Sequence, residues 1–463
     1  MTKRLKNFSL GMILAAGLVG QLRAQQTEWK IGLAKTRITP EQPIRMAGYS
    51  ARTEPSRSVS SDLYAKALAL EDRNGNRALL ITADIIGFTQ RLAEPVYQRL
   101  KTSTGLERKS ILLNAAHNHC GPVILADPSL VEEDLDHPFG DIQWKRLIDY
   151  NKKLEDDFVR IGQAALQDLK PARLKWGGGV VNFVMNRRQF TEHGIILGVN
   201  ARGPVDRTVP VMRVETADGR LRAVLFGAAC HCTTLDDDYV SIDGEYAGYA
   251  QSYLEQKLPE TLAMFITGLA GDANPYPRGT LALAQQHGRS LGLEVERVLE
   301  EALKPVSGPL RTELKLVDLP LQKLSTRDIE ALQISEHQEF FARNALKRLA
   351  EGKTLPERYS APFGLWQFGK DLTLVSYSGE PVVDYAALTE QALGPLNLWM
   401  AGYCGDVYGY LPSERVLAEG GYETRGLYVD IGLFAPQVQN TVIGAITEMA
   451  RRAGRSLPSK AGR

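Results

Sequence analysis

The chain has 463 residues, 44% of them apolar and 24% charged, with 55 Lys and Arg against 54 Asp and Glu. That length allows a large buried core, and the composition excludes a disordered or collagen-like chain. The near-zero net charge argues against electrostatic nucleic-acid binding, and four Cys are too few for a disulfide scaffold.

Residues 1–24 read as a signal peptide. Lys3, Arg4 and Lys6 form a basic start, an apolar run follows from Phe8 to Val19, and Ala24 is the small residue before the cut. The run is short for a bilayer span, and no second run of membrane length follows. Residues 25–463 are therefore expected to form one exported domain, periplasmic or secreted. It should have no transmembrane span and carry a net charge of −3.

In chain order, 65–70 and 78–86 read as strands around an Asn74-Gly75 turn, a hairpin signal. The apolar run 111–115 predicts a buried strand, and the spacing over 147–169 predicts a helix. Strands at 209–214 and 221–230 flank Asp218-Gly219. A short strand at 264–267 runs into the Gly-rich 268–272. Helices follow over 281–303 and 326–349, with 353–361 as a surface excursion. Strands at 372–376 and 400–404 precede a terminal helix over 438–452. The alternation predicts an α/β fold. Its hairpins predict mixed β-sheets layered with helices, in a single large catalytic domain.

Histidine is scarce, seven in all. Two lie in Asn114-Ala115-Ala116-His117-Asn118-His119-Cys120-Gly121-Pro122, directly after a strand. In extended backbone, residues i and i+2 share a face, so His117 and His119 could offer two imidazoles to one metal ion. Equally, they could be ordinary surface histidines. His231 ends a strand between Cys230 and Cys232, which suits either a third ligand or a satisfied core histidine. Glu380 sits in a Gly-Glu-Pro turn after a strand. Gly268 to Pro275 lacks the Gly-Lys-Ser/Thr of a phosphate-binding loop. Cys120, Cys230, Cys232 and Cys404 could be free thiols or could pair, with no pairing favoured.

Taken together, these segments resemble the amino-terminal catalytic domain of the neutral/alkaline non-lysosomal ceramidase family. The matching pieces occur in the family's order: Ile44 to Tyr49 with Leu63 to Leu70; the stretch 114–122, like its Asn-x-x-His-x-His-x-Gly-Pro; Asn186-Arg187-Arg188; and Pro204 to Val214. Gly271 to Pro275, Gly379-Glu380, and Gly409-Tyr410 through Gly421-Tyr422-Glu423 complete the set. The resemblance runs from about Ile31 to Ala450. It implies a zinc cofactor held by His117, His119, His231, Glu380 and Tyr410. It also implies that Tyr422 contacts the reacting amide, and that an N-acyl, ceramide-like small-molecule or lipid substrate is cleaved by metal-activated water.

Two departures accompany it. Asn274 stands where the family has a serine after Gly-Asp; its amide can donate to substrate, and a covalent route through that position is disfavoured. The family's immunoglobulin-like carboxy-terminal domain has no counterpart here, and no apolar insertion stands out as a lipid-binding lip. Two other functions fit the same residues. One is hydrolysis of a hydrophilic, carbohydrate-derived substrate, suggested by Asn274 and the Arg187-Arg188 pair. The other is non-catalytic binding on the ceramidase scaffold.

Overall fold

The computed structural model describes residues 28–125, 140–335, 337–428 and 432–458. The signal-peptide segment 1–24 lies outside them.

Two sheets stack face to face between outer helices, giving four layers. The larger sheet has nine strands. Its main path runs Leu262–Thr267, Leu221–Ala228, Thr208–Thr216, Lys170–Val180, Trp29–Arg37, Tyr64–Asp72, Arg77–Ala83 and Ile111–Ala115, with Lys304–Val306 added beside Lys170–Val180. The pairs at the two ends are parallel and the pairs between them antiparallel. Both expected hairpins form. The second sheet orders Leu310–Pro320, Arg358–Phe368, Leu372–Ser376 and Leu398–Ala401.

Strand alternation assigns the layers. Leu68 and Leu70 join Trp366, Phe368 and Trp399 in the core between the sheets. Ala67 and Ala69 face outward onto the helices Gln90–Thr104 and Asp141–Gln167. Val209, Val211, Val224 and Phe226 pack against Glu245–Lys257 and Leu281–Leu299 in the same way. The second sheet buries its other face under Asp384–Leu393 and Val438–Arg452. Strands covered on both faces read as continuous apolar runs, which is why Tyr64–Asp72, Arg77–Ala83 and Leu221–Ala228 were visible in the sequence.

Three expectations need correction. The helix expected over 326–349 is broken into Thr326–Ala331, a 3₁₀ turn and Glu339–Ala350. A Ser325–Asp328 capping box starts the first piece, and apolar periodicity carries no mark of the interruption. The excursion expected over 353–361 gives way at Arg358 to an eleven-residue strand, buried on both faces from Ala361 to Phe368. The strand expected at 400–404 is Leu398–Ala401 instead, and Tyr403 has φ +55°. The four cysteines are buried free thiols.

Candidate metal centre

Ile111–Ala115, Leu221–Ala228, Leu262–Thr267 and Leu372–Ser376 all end at one crevice, the usual place for a site in an α/β sheet. Buried Asn114, in the first of these strands, ties it to the end of Leu262–Thr267 and to Gly402, just past Leu398–Ala401. Its Oδ1 accepts from Thr267 N at 3.1 Å, and its Nδ2 donates to Gly402 O at 2.8 Å.

His117 and His119 meet here, though not by strand alternation. The strand stops at Ala115, and His117 has φ +56°, a left-handed turn that aims its ring inward. His119 Nε2 lies 3.1 Å from His117 Nε2. His231 arrives from the end of Leu221–Ala228. Glu380 Oε2 lies 3.2 Å from His117 Nε2 and 3.0 Å from His231 Nε2. The ring nitrogens of the three histidines lie within 4.8 Å of one another.

Backbone carbonyls fix two of the rings. His117 Nδ1 lies 2.7 Å from Ile86 O, and His231 Nδ1 lies 2.8 Å from Ala270 O. A carbonyl only accepts, so each Nδ1 carries the proton and each Nε2 presents a lone pair. Burial pushes the His231 pKa down to about 4, with the Arg187 charge adding to the shift. Burial and the neighbouring His117 and His231 hold His119 well below the usual histidine range. Burial alone would raise the Glu380 carboxyl, but the imidazoles of His117 and His231 more than offset it and hold it well below the usual range. Three imidazole nitrogens and a carboxylate oxygen thus converge on one point, a donor set that fits a divalent cation.

The Gly-rich loop supports this geometry. A Cβ on Gly271 would lie 2.5 Å from Glu380 O, so only glycine lets the loop rest on that strand. Buried Asp272 accepts from Val383 N at 2.7 Å and Asn186 Nδ2 at 3.1 Å, locking the loop beside Glu380. Gly48, at φ +94°, does the same for His119, because a Cβ there would sit 2.4 Å from His119 Nδ1. Gly48→Ala is expected to displace the His119 ring and weaken an ion held by the three histidines by about 10–100-fold. Competition with a chelator would measure this, read beside a melting curve that reports the strain of alanine at that φ.

The remaining expected residues lie around this centre. The Tyr410 ring lies 6.5 Å from that of His231 and 5.5 Å from that of Tyr422. Tyr422 OH accepts from Arg425 Nη1 at 2.7 Å. Asn274 Oδ1 accepts from Thr233 Oγ1 at 3.2 Å and Arg187 Nη1 at 3.3 Å, which leaves its Nδ2 as a donor. Arg187 Nη1 also lies 3.1 Å from His231 Nε2. Two tyrosines were not anticipated: Tyr428 donates to Glu380 Oε1, and Tyr403 donates to Glu380 Oε2 at 3.4 Å. A lone tyrosine outside a motif carries no sequence signal for such a role.

An apolar hairpin adjoins the centre, where none had been expected from the sequence. Val184–Thr191 and Gly194–Asn200 pair through Phe190 and Ile195. Phe190, Ile196, Leu197 and Val199 are all exposed, Phe190 by 59%. The base of the hairpin carries Arg187, and Ile195 abuts Gly421, next to Tyr422.

Fold and site together define a four-layer α/β protein with a buried His₃-carboxylate centre. The sequence profile described as neutral/alkaline non-lysosomal ceramidase, N-terminal, matches residues 29–287. The chain belongs to the neutral/alkaline non-lysosomal ceramidase family. It is 26% identical over 280 residues to neutral ceramidase A of Dictyostelium discoideum, covering 55% of this chain and 37% of that protein. It is 23% identical over 286 residues to neutral ceramidase of Drosophila pseudoobscura pseudoobscura, covering 58% of this chain and 38% of that one. The matched region thus spans little more than a third of either relative. The crystal structure of neutral ceramidase from Pseudomonas aeruginosa superposes with a TM-score of 0.70 at 18% identity, over 94% of this chain and 76% of that one.

Proposed function

We propose that the protein is an exported, zinc-dependent amidase that cleaves an N-acyl substrate bearing an apolar chain, with ceramide as the model compound. The observation that carries this reading is the convergence of His117, His119 and His231 on Glu380. These four groups would hold the ion, with Tyr410 as a fifth ligand. Zinc bound there would act as a Lewis acid on the amide carbonyl and make water available as a nucleophile near neutral pH.

The chain's own groups then orient the substrate. Arg425 donates to Tyr422 OH, so the phenol proton is free to reach the developing oxyanion. One such donor is worth about 3–4 kcal/mol in the transition state. Asn274 is held by its oxygen, and its Nδ2 can bind the substrate carbonyl. The exposed apolar hairpin beside Tyr422 suits an acyl chain better than a sugar, which favours the lipid-like substrate over the carbohydrate-derived one. The signal-peptide reading supports a periplasmic or secreted location. Among the described residues no helix is long and apolar enough to cross a membrane.

The test combines metal analysis with a substrate panel. About one zinc per chain is expected, with fatty-acid release from ceramide lost on chelation and restored by zinc. Full activity in a zinc-free preparation would exclude the metal. Cleavage of acylated amino sugars with ceramide untouched would reassign the substrate, and tight ligand binding without turnover would leave a binding protein.

A further inference from the structure

A second cavity, of about 510 Å³, opens where the two sheets diverge. None of the three histidines, Glu380 or the site tyrosines lines it. Its size falls within the range of small-molecule sites, roughly 300–1,000 Å³. Trp176 and Trp399 line it, with Met400 and Leu398 beside them; Trp399 is only 2% exposed. The large-sheet strand that borders it is bare: a Cβ on Gly178 would meet nothing closer than Val209 O at 3.6 Å.

Charge gives the cavity a sign. Asp206, Glu301 and Glu390 line it, against Lys304 alone. Glu301 is already paired with Arg297. Asp206 accepts only from Thr208, through its backbone N and its hydroxyl, and neither Asp206 nor Glu390 is in an ion pair among the described residues. Burial and the nearby Asp206 charge both push the Glu390 carboxyl up, so the two carboxylates feel each other across the cavity mouth. Two like charges in the lining of a largely apolar pocket, with Lys304 the opposing charge, favour a cation. The carboxylates supply the field that draws a cation, and the wall of Trp176, Leu398 and Met400 suits an apolar body. An acyl chain would leave the carboxylates unanswered, and an anionic ligand would be repelled.

We propose that this cavity binds an organic ammonium ion with an apolar body, its charged head at Asp206 and Glu390 and its body against Trp176, Leu398 and Met400. This site is separate from the metal centre and does not depend on the reading of that centre. It is nevertheless close in the chain. Ala228 and Ala229 line it three and two residues before His231, and Gly268 lines it two residues before Ala270, whose carbonyl fixes the His231 ring.

Isothermal titration of the full chain with octyltrimethylammonium tests the proposal, with 1-octanol, octyl sulfate and octyl glucoside as comparisons. Saturable binding of the cation is expected. Asp206→Asn with Glu390→Gln should weaken it by about tenfold. Asn keeps an acceptor for Thr208, so the loop should survive. Gly178→Leu, which projects into open space, should abolish binding without changing metal content. The proposal is overturned if the cation does not saturate, or if the alcohol or the glucoside binds as tightly. It is equally overturned if both sets of variants bind like the parent. Should Gly178→Leu fail to fold by its melting curve, the carboxylate variants decide alone.

Discussion

Glu380→Gln should leave a folded protein that no longer keeps its metal. Glu380 is buried, lies within 3.2 Å of His117 Nε2 and 3.0 Å of His231 Nε2, and accepts from Tyr428 and Tyr403. Gln preserves the shape but removes the charge that balances a divalent ion. Its amide N–H₂ can also donate to the Nε2 lone pairs of His117 and His231 and so compete with the ion for them. Losing an outer partner of a metal ligand costs about 10–100-fold in affinity, so losing the carboxylate itself should cost at least about 100-fold. Two measurements separate this from simple unfolding. The ion content after dialysis should fall toward zero. The rise in melting temperature that zinc gives the parent, set by mass action, should vanish in the variant. Retention of one ion per chain at parental affinity would remove Glu380 from the ligand set and leave the three histidines to be explained otherwise.

The largest stability effect should come from Glu423. Its carboxylate accepts from Arg187 Nε at 2.9 Å and Arg188 Nη1 at 2.6 Å, and all three side chains are almost fully buried. Glu423→Gln leaves two buried guanidinium groups, with Glu419 3.0 Å from Arg188 as the remaining acid. Breaking a buried pair from one side costs about 3–5 kcal/mol. The effect should depend on pH in a definite sense. Burial would raise the Glu423 carboxyl, but Arg187 and Arg188 hold it below the usual carboxylate range. A depressed carboxylate adds stability that is fully present above its unfolded pKa and lost as pH falls through the folded one. The parent's advantage over Glu423→Gln should therefore be constant near neutrality and shrink in acid. Urea midpoints at a series of pH values measure it, and a pH-independent gap would show that shape rather than charge is at stake. Arg187 also touches His231 and Asn274, so turnover should suffer as well.

What could be read in the sequence follows from what each signal measures. Strands buried on both faces stood out as apolar runs, and both Gly-containing hairpins formed where expected. Strands such as Lys170–Val180 and Leu310–Pro320 were missed, because each mixes exposed charged positions with a half-buried face. The broken helix shows the converse limit, since periodicity reports a face and not continuity. In the site, His117, His119, His231 and Glu380 come together as the ordered motifs implied. The spacing argument for His117 and His119 gave the right pairing for the wrong reason, because a left-handed residue at His117, and not extended backbone, brings the rings together. The acid–base context of Arg187 and Glu423, and the two tyrosines on Glu380, needed three-dimensional neighbours more than 200 residues or some 25 to 50 residues away, respectively.

The histidines belong to the nine-stranded sheet, whereas Glu380 leaves the end of Leu372–Ser376 in the other sheet. An ion shared by these groups is therefore a rivet through the interface between two layers. Its affinity and the closeness of those layers are one thermodynamic quantity viewed from two sides. A substitution far from every ligand, in the Trp366–Trp399 packing for instance, would be felt as easier metal loss. Conversely, stripping the ion would loosen backbone amides along that interface before it loosened either sheet.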